Sequence, residues 1–253
     1  MNKNTIDTID CIEFLKSLPD DSVDLVLTDP PYFIGFDGGK GWDSQWKDEI
    51  EYLQWCEQWT NECVRILKPN RMLVVFGTLK TETFLRYKLE TSSTHHDTLT
   101  PQNEIIWSYN WGGRGKGNFA RKHEYAWCWS KGDDFLFNAD AVRVERKQKV
   151  NIRTGKAFEK GTIPTCVWEK NNHTTSKEYV NWHPTQKPLL ILERIINGYT
   201  NQGDTVVDIF SGSGSTMIAC DNTDRKFIGC EIDEDYYNQS LERRKTMNPL
   251  LGV

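Results

Sequence analysis

No apolar run in this 253-residue chain approaches the roughly twenty residues that a membrane-spanning helix needs, and the first eleven residues carry no apolar leader-like stretch. The chain is therefore expected in the cytosol. Its seven cysteines, at 11, 56, 63, 128, 166, 220 and 230, never form a C-x-x-C pair, so neither a zinc site nor a disulfide frame is indicated and no metal is expected. None of them follows a proline, which argues against a Pro-Cys thiolate nucleophile. Internal repeats and low-complexity tracts are absent too, and the length allows one sizeable core with an inserted lobe, or at most two small domains. Positive charge is also short, with a net charge of −5. It is unevenly spread: residues 112–177 hold 14 Lys and Arg against 7 Asp and Glu, while the remainder holds 17 against 29. A basic segment on an acidic body suits a polyanionic partner better than the total suggests.

What is present is organised around Val23-Asp24-Leu25-Val26-Leu27-Thr28-Asp29-Pro30-Pro31-Tyr32. The apolar, β-branched run predicts a buried strand of a parallel sheet. Two prolines then force a stiff extended exit, which holds Asp29 and Tyr32 at the strand's carboxyl edge, where open α/β sheets bind ligands. An anionic acceptor at Asp29 and a fixed carbonyl at Pro30 suit the two hydrogens of an exocyclic base amine, drawing its nitrogen toward sp³. Tyr32 offers a face for an extruded base, worth about 1–3 kcal/mol per base. Alone, the same four residues also read as an ordinary strand-ending turn.

The remaining segments read in order. Thr5 to Asp10 predicts a short strand, followed by an amphipathic helix that Asp10 is placed to cap. Residues 33–46, with four glycines and Trp42, read as a mobile loop ordering on a partner, or as a loop pinned by a buried Trp. A helix over 49–68 leads through Leu67-Lys68-Pro69-Asn70 into a strand from Arg71 to Gly77, with Asn70 expected in the left-handed region. Thr81 to Leu89 predicts a helix, and Asn103–Tyr109 and Glu124–Ser130 a strand pair. Between those strands Arg114, Lys116, Arg121 and Lys122 are placed to neutralise phosphates. Residues 140–182 are irregular and carry Arg143, Arg146, Lys147, Lys149 and Arg153. His183-Pro184-Thr185-Gln186-Lys187-Pro188 presents Thr185, Gln186 and Lys187 to the N-terminus of a helix over 189–199, a natural carboxylate site. The strand Thr205–Phe210 runs into Ser211-Gly212-Ser213-Gly214-Ser215-Thr216, a nucleotide-type turn lacking the third glycine of the nicotinamide fingerprint. In the next strand Glu231, followed by Ile232, sits where an acidic side chain accepts from ribose hydroxyls. Asp233 caps the closing helix.

Asp29-Pro30-Pro31-Tyr32 resembles the catalytic motif of the amino-methylating DNA methyltransferases, and His183 to Pro188 resembles a second motif of that family. With the catalytic turn early and the glycine-rich loop late, the order resembles the circularly permuted β group over nearly the whole chain. The resemblance implies a doubly wound, seven-stranded, Rossmann-like α/β domain. Its catalytic half would be residues 1–135, its target-recognition insertion 136–182 and its cofactor half 183–253. It implies S-adenosylmethionine as cofactor, bound by Asp10, Cys11, Asp29, Thr185, Gln186, Lys187, Asp208, Phe210, Gly212, Ser213, Gly214, Ser215, Glu231 and Ile232. Catalysis would fall to Asp29, Pro30, Pro31 and Tyr32. DNA contacts would come from Trp42 and the cations of 114–153. Aspartate at the first motif position is commoner with adenine N6, serine with cytosine N4. Cytosine-N4 transfer and a catalytically silent DNA-binding partner are the alternatives. The implied partner is duplex DNA, with a second copy of the chain and a cognate restriction nuclease as further candidates.

Overall fold

The computed structural model describes residues 5–91, 99–111, 117–150, 152–170 and 176–248. Arg114 and Lys116 therefore lie outside the described residues. The apolar run at 23–28 becomes strand β2 once β1 (Thr5–Asp7) and helix α1 (Cys11–Ser17) have been laid down. All six residues of β2, Val23–Thr28, are buried. After it come α2 (Glu49–Ile66), β3 (Leu67–Gly77), α3 (Leu79–Thr91), β4 (Leu99–Ser108) and β5 (His123–Lys131). A 3-10 turn at Ala139–Val142 and strand β6 (Val167–Glu169) precede α4 (Leu189–Tyr199), β7 (Thr205–Asp208), α5 (Ser215–Asn222), β8 (Lys226–Cys230) and α6 (Glu234–Met247). Among the described residues no helix is long and apolar enough to cross a membrane.

The strands form one sheet in the order β1-β8-β7-β2-β3-β5-β4-β6. The seven expected strands are all there. The segment 140–182, read as irregular, adds an eighth: β6 pairs in parallel with β4 through Ile106↔Val167. Central β2 is parallel to β3 on one side and to β7 on the other, where Leu25 faces Val206. Side chains alternate across it. Val26, Leu73, Val75, Trp127 and Trp129 meet α1, α2 and α3, while Leu25, Leu27, Val74 and Cys128 meet α4 and α5. Helices on both faces make the sheet doubly wound, as expected of a parallel strand that is apolar on both sides.

The lower edge of the sheet is tied by charge. Buried Asp24 accepts from Lys68 at 2.8 Å, from Arg71 at 3.2 Å and from the Thr205 amide at 2.9 Å, linking β2 to both neighbours. Arg71 also reaches Asp204 at 3.1 Å. Helix α2 stops at Ile66, two residues before the expected end, because Lys68 precedes a proline and is pushed out of the helical region. Asn70 has φ +61°, the left-handed turn expected there.

Candidate active site

Sequence places the two ligand-facing loops 180 residues apart, and the parallel pairing of β2 with β7 brings them to the same sheet edge. They touch directly, since the Thr28 hydroxyl donates to Asp208 Oδ1 at 2.9 Å. Both open on one cavity of about 610 Å³, lined by Asp29, Pro30, Pro31 and Tyr32 on one side and by Phe210, Gly212, Glu231 and Ile232 on the other. Asp10, Cys11, Thr185, Gln186, Trp42 and Arg121 complete its wall among the expected residues.

The turn after β2 is held from below and from the side. Tyr52 of α2 donates to the Pro31 carbonyl at 2.8 Å, fixing the second proline. The Tyr32 hydroxyl donates to Asp29 Oδ1 at 2.5 Å and lies 3.4 Å from Oε2 of Glu124, near the start of β5. Lys187 Nζ pairs with Asp29 Oδ2 and with Glu124 Oε2, the latter at 3.2 Å. Burial works against the lysine's charge, but the two carboxylates outweigh it and raise its pKa. Burial pushes the Glu124 carboxyl up, with Lys187 opposing and Asp29 assisting. Burial, then the two neighbouring carboxylates, lift Tyr32 well above the usual phenol range, so its hydroxyl stays protonated.

The glycine-rich loop is built by hydrogen bonds to carboxylates. Glu231 accepts from the Gly212 amide at 2.7 Å through one oxygen and from the Asp233 amide at 2.9 Å through the other. Asp208 accepts from the Phe210 amide at 3.1 Å, and burial raises its pKa to about 6. Gly212 is in the left-handed region at φ +45°, and an added Cβ would stand 2.5 Å from His183 Nε2. Only glycine lets the imidazole close on this loop. Burial and the nearby Lys187 and Arg243 drop His183 to about 3, so the ring packed on Tyr236 at 4.6 Å is neutral.

Several expected residues take other positions. Lys187 is spent on Asp29 and Glu124 and does not line the cavity. At the N-terminus of α4, where a ligand carboxylate was expected, the chain's own Glu178 accepts from the Leu189 amide at 2.9 Å. Ser213, Gly214 and Ser215 are buried and do not line the cavity. Arg243 donates to the Ser213 carbonyl at 2.7 Å and to Ser215 Oγ at 2.9 Å. Asp208 likewise shapes the loop from behind. Asp10 caps α1, accepting from the Ile12 amide at 2.9 Å, while also facing the cavity. The loop at 33–46 is pinned rather than loose: buried Asp43 accepts from the amides of Phe33, Ile34 and Phe36 at 2.6–3.0 Å. Trp46, not Trp42, is the buried anchor, in contact with Phe33, Tyr52 and Trp55.

Outside the cavity, residues 144–162 double back through bridges Val144↔Thr162 and Val150↔Ala157. On this arm Arg143 donates to Asp140 and to the Gly161 carbonyl, Arg146 stacks on Phe158 at 4.1 Å, and Lys149 pairs with Glu145. Lys147 and Arg153 are exposed. Lys122 donates to the Asn110 carbonyl at 2.8 Å. Sequence reasoning passed over Glu124, His183, Asp43 and Arg243 as site residues. The first two stood inside strings already singled out, whereas Asp43 and Arg243 act through backbone contacts that no local pattern announces.

The profile of a DNA methylase family (N6_N4_Mtase) matches residues 23–242. Type II methyltransferase M.HpaI of Haemophilus parainfluenzae is 32% identical over 233 residues, which cover 92% of this chain and 71% of that protein. DNA adenine methyltransferase YhdJ of Escherichia coli (strain K12) is 32% identical over 246 residues, 92% of this chain and 80% of its own. Among solved structures, the PvuII DNA methyltransferase, described as cytosine-N4-specific, shares the fold with a TM-score of 0.73 at 18% identity, over 97% of this chain and 90% of that one. The complex of M1.HpyAVI with SAM has a TM-score of 0.62 at 25% identity, over 94% and 98%.

Proposed function

This chain belongs to the DNA methylase family, and from that premise we propose that it transfers a methyl group from S-adenosylmethionine to the N6 amine of an adenine in duplex DNA. The observation that carries the reading is the single cavity shared by the Asp29 turn and the Gly212 loop. The residues present fit the cofactor. Glu231 and Asp10 supply carboxylates for hydroxyl and amine donors, Phe210 supplies an apolar wall backed by Trp55, and the Gly212 turn, held by Glu231, lines the same wall. When bound, the sulfonium supplies an activated methyl.

What the chain adds is position and charge. A base reaching this cavity must leave the duplex, at a cost of a few kcal/mol. Stacking against the Tyr32 side of the cavity offsets part of that cost. Asp29 Oδ1 and the Pro30 carbonyl accept the two amine hydrogens, which frees the nitrogen lone pair from the ring. Positive charge then develops on nitrogen beside a fixed carboxylate, the arrangement that stabilises such a transition state without reorganisation. Arg121 at the mouth and the exposed cations of the 144–162 arm hold the phosphates, giving affinity and register rather than sequence. Aspartate leading the motif and the 32% identity to an adenine methyltransferase favour adenine over cytosine. A second copy of this chain and a cognate nuclease are further partners, tested by sedimentation with DNA and by searching the neighbouring reading frames.

The test is to incubate the protein with random-sequence duplex DNA and cofactor labelled in its methyl group, then digest and identify the nucleoside. N6-methyladenine, absent with Asp29→Ala, is expected. N4-methylcytosine, or no labelled nucleoside, would overturn the assignment.

A further inference from the structure

Resting on that reading, we infer that Glu124 is the terminal acceptor of the proton the amine loses, reached from Asp29 through the Tyr32 hydroxyl. The atoms are already in line. Tyr32 Oη stands 2.5 Å from Asp29 Oδ1 and 3.4 Å from Glu124 Oε2, and both carboxylates face the one buried ammonium of Lys187. This quartet carries two negative charges and one positive, so it is one cation short in a half-buried site. Taking up a single proton brings it to neutrality, which a low-dielectric setting favours.

The step balances. The amine nitrogen forms the new N–C bond as the S–C bond breaks, and that bond's electron pair goes to sulfur. The nitrogen, now cationic, gives its proton to Asp29 Oδ1. Tyr32 Oη takes that proton while passing its own to Glu124 Oε2, leaving Asp29 ionised beside Lys187. Glu124 lines the cavity and returns the proton to water when the product leaves. Charged and titratable groups facing Glu124 are Asp29 and Tyr32 from the turn after β2, Lys187 ahead of α4 and Tyr109 beyond β4, while its strand neighbours His123 and Tyr125 bond to each other. Of these, Lys187 holds the positive charge in contact with it. Glu124 acts through Tyr32, and so is a positioning and proton-accepting residue rather than a group that touches the methyl.

The experiment is a single-turnover methyl-transfer rate measured against pH for the parent, Glu124→Gln and Tyr32→Phe, with cofactor affinity measured alongside. In the parent the rate should rise with pH through an ionisation above the ordinary glutamate range. Glu124→Gln keeps the hydrogen-bonding shape without the basicity. It should bind cofactor as the parent does, transfer methyl about 10²-fold more slowly at neutral pH, and lose that rise. A rate within a few-fold of the parent, or a slow rate with the same pH rise, would overturn the inference. If Glu124→Gln does not fold, Tyr32→Phe decides: it keeps the ring and breaks the relay at its middle, so an unshifted pH rise in that variant would also overturn it. A parent that methylates no DNA would refute the function itself, a separate result.

Discussion

Both oxygens of Asp29 are engaged in the free protein, one by Tyr32 and one by Lys187. Lys187→Met is therefore expected to leave two carboxylates facing each other without a cation. Removing one partner of a buried pair costs about 3–5 kcal/mol, and the lower end applies here because Asp29 is 21% exposed and partly rehydrated. Urea unfolding at neutral pH checks it. Asp208 makes a second test at this scale. Its folded pKa of about 6 lies above the ordinary 3.8, so its contribution to stability is full at acid pH below that ordinary value and is lost as pH rises through about 6. Asp208→Asn still accepts from Thr28 and Phe210, and its unfolding midpoint should lose this decline across the same window. Position was legible where the chain spells a rigid turn: Asp29 to Tyr32 leave the strand at the cavity wall. A long side chain has a choice of direction that no local string fixes. Lys187 was expected to face a ligand carboxylate, and in the structure the half-buried carboxylates of Asp29 and Glu124 hold it. Glu124 gives no local signal of its own, because its importance comes from β5, antiparallel to β3, starting at the sheet edge where β2 ends.

The loop at 33–46 shows how an element's behaviour escapes its composition. Four glycines suggest freedom, and in the structure three of its backbone amides converge on the buried Asp43 carboxylate. Lys40 further ties the loop to Asp233 and Asp235 at the start of α6, at 3.1 and 2.8 Å. Asp43→Ala leaves those amides without their acceptor, a loss of about 1–3 kcal/mol for each that stays buried. Limited proteolysis should then cut within 33–46, with a matching loss of cofactor affinity, while the parent resists. Strands and helices themselves were well marked, since a fully apolar five- or six-residue run and a 3.6-residue periodicity are different signals. The exceptions have physical reasons. Helix α2 ends early because Pro69 acts on the residue before it, and β6 went unseen because three residues with an exposed-buried-exposed pattern are too short to carry a period.

At the scale of the whole molecule, the sheet order brings two distant motifs to one cavity by pairing β2 with β7. Charge was legible only in part. The surplus on 112–177 is real, but Arg143 and Lys149 are spent on Asp140 and Glu145, and Lys147 stands exposed outside those pairs. Lys147→Ala should accordingly weaken DNA binding more than Lys149→Ala. It should lower the slope of log affinity against log salt by about 0.9 for each phosphate that the variant no longer neutralises. Fluorescence anisotropy over a salt series reads both. The most direct measurement is a crystal structure of the protein with a non-transferring sulfonium analogue and a duplex bearing its mapped site. An extruded adenine should stand with its exocyclic nitrogen on Asp29 and the sulfonium beside Gly212, in the one cavity. A cofactor bound away from residues 208–214, or a target base left stacked in the duplex, would contradict the mechanism at its root.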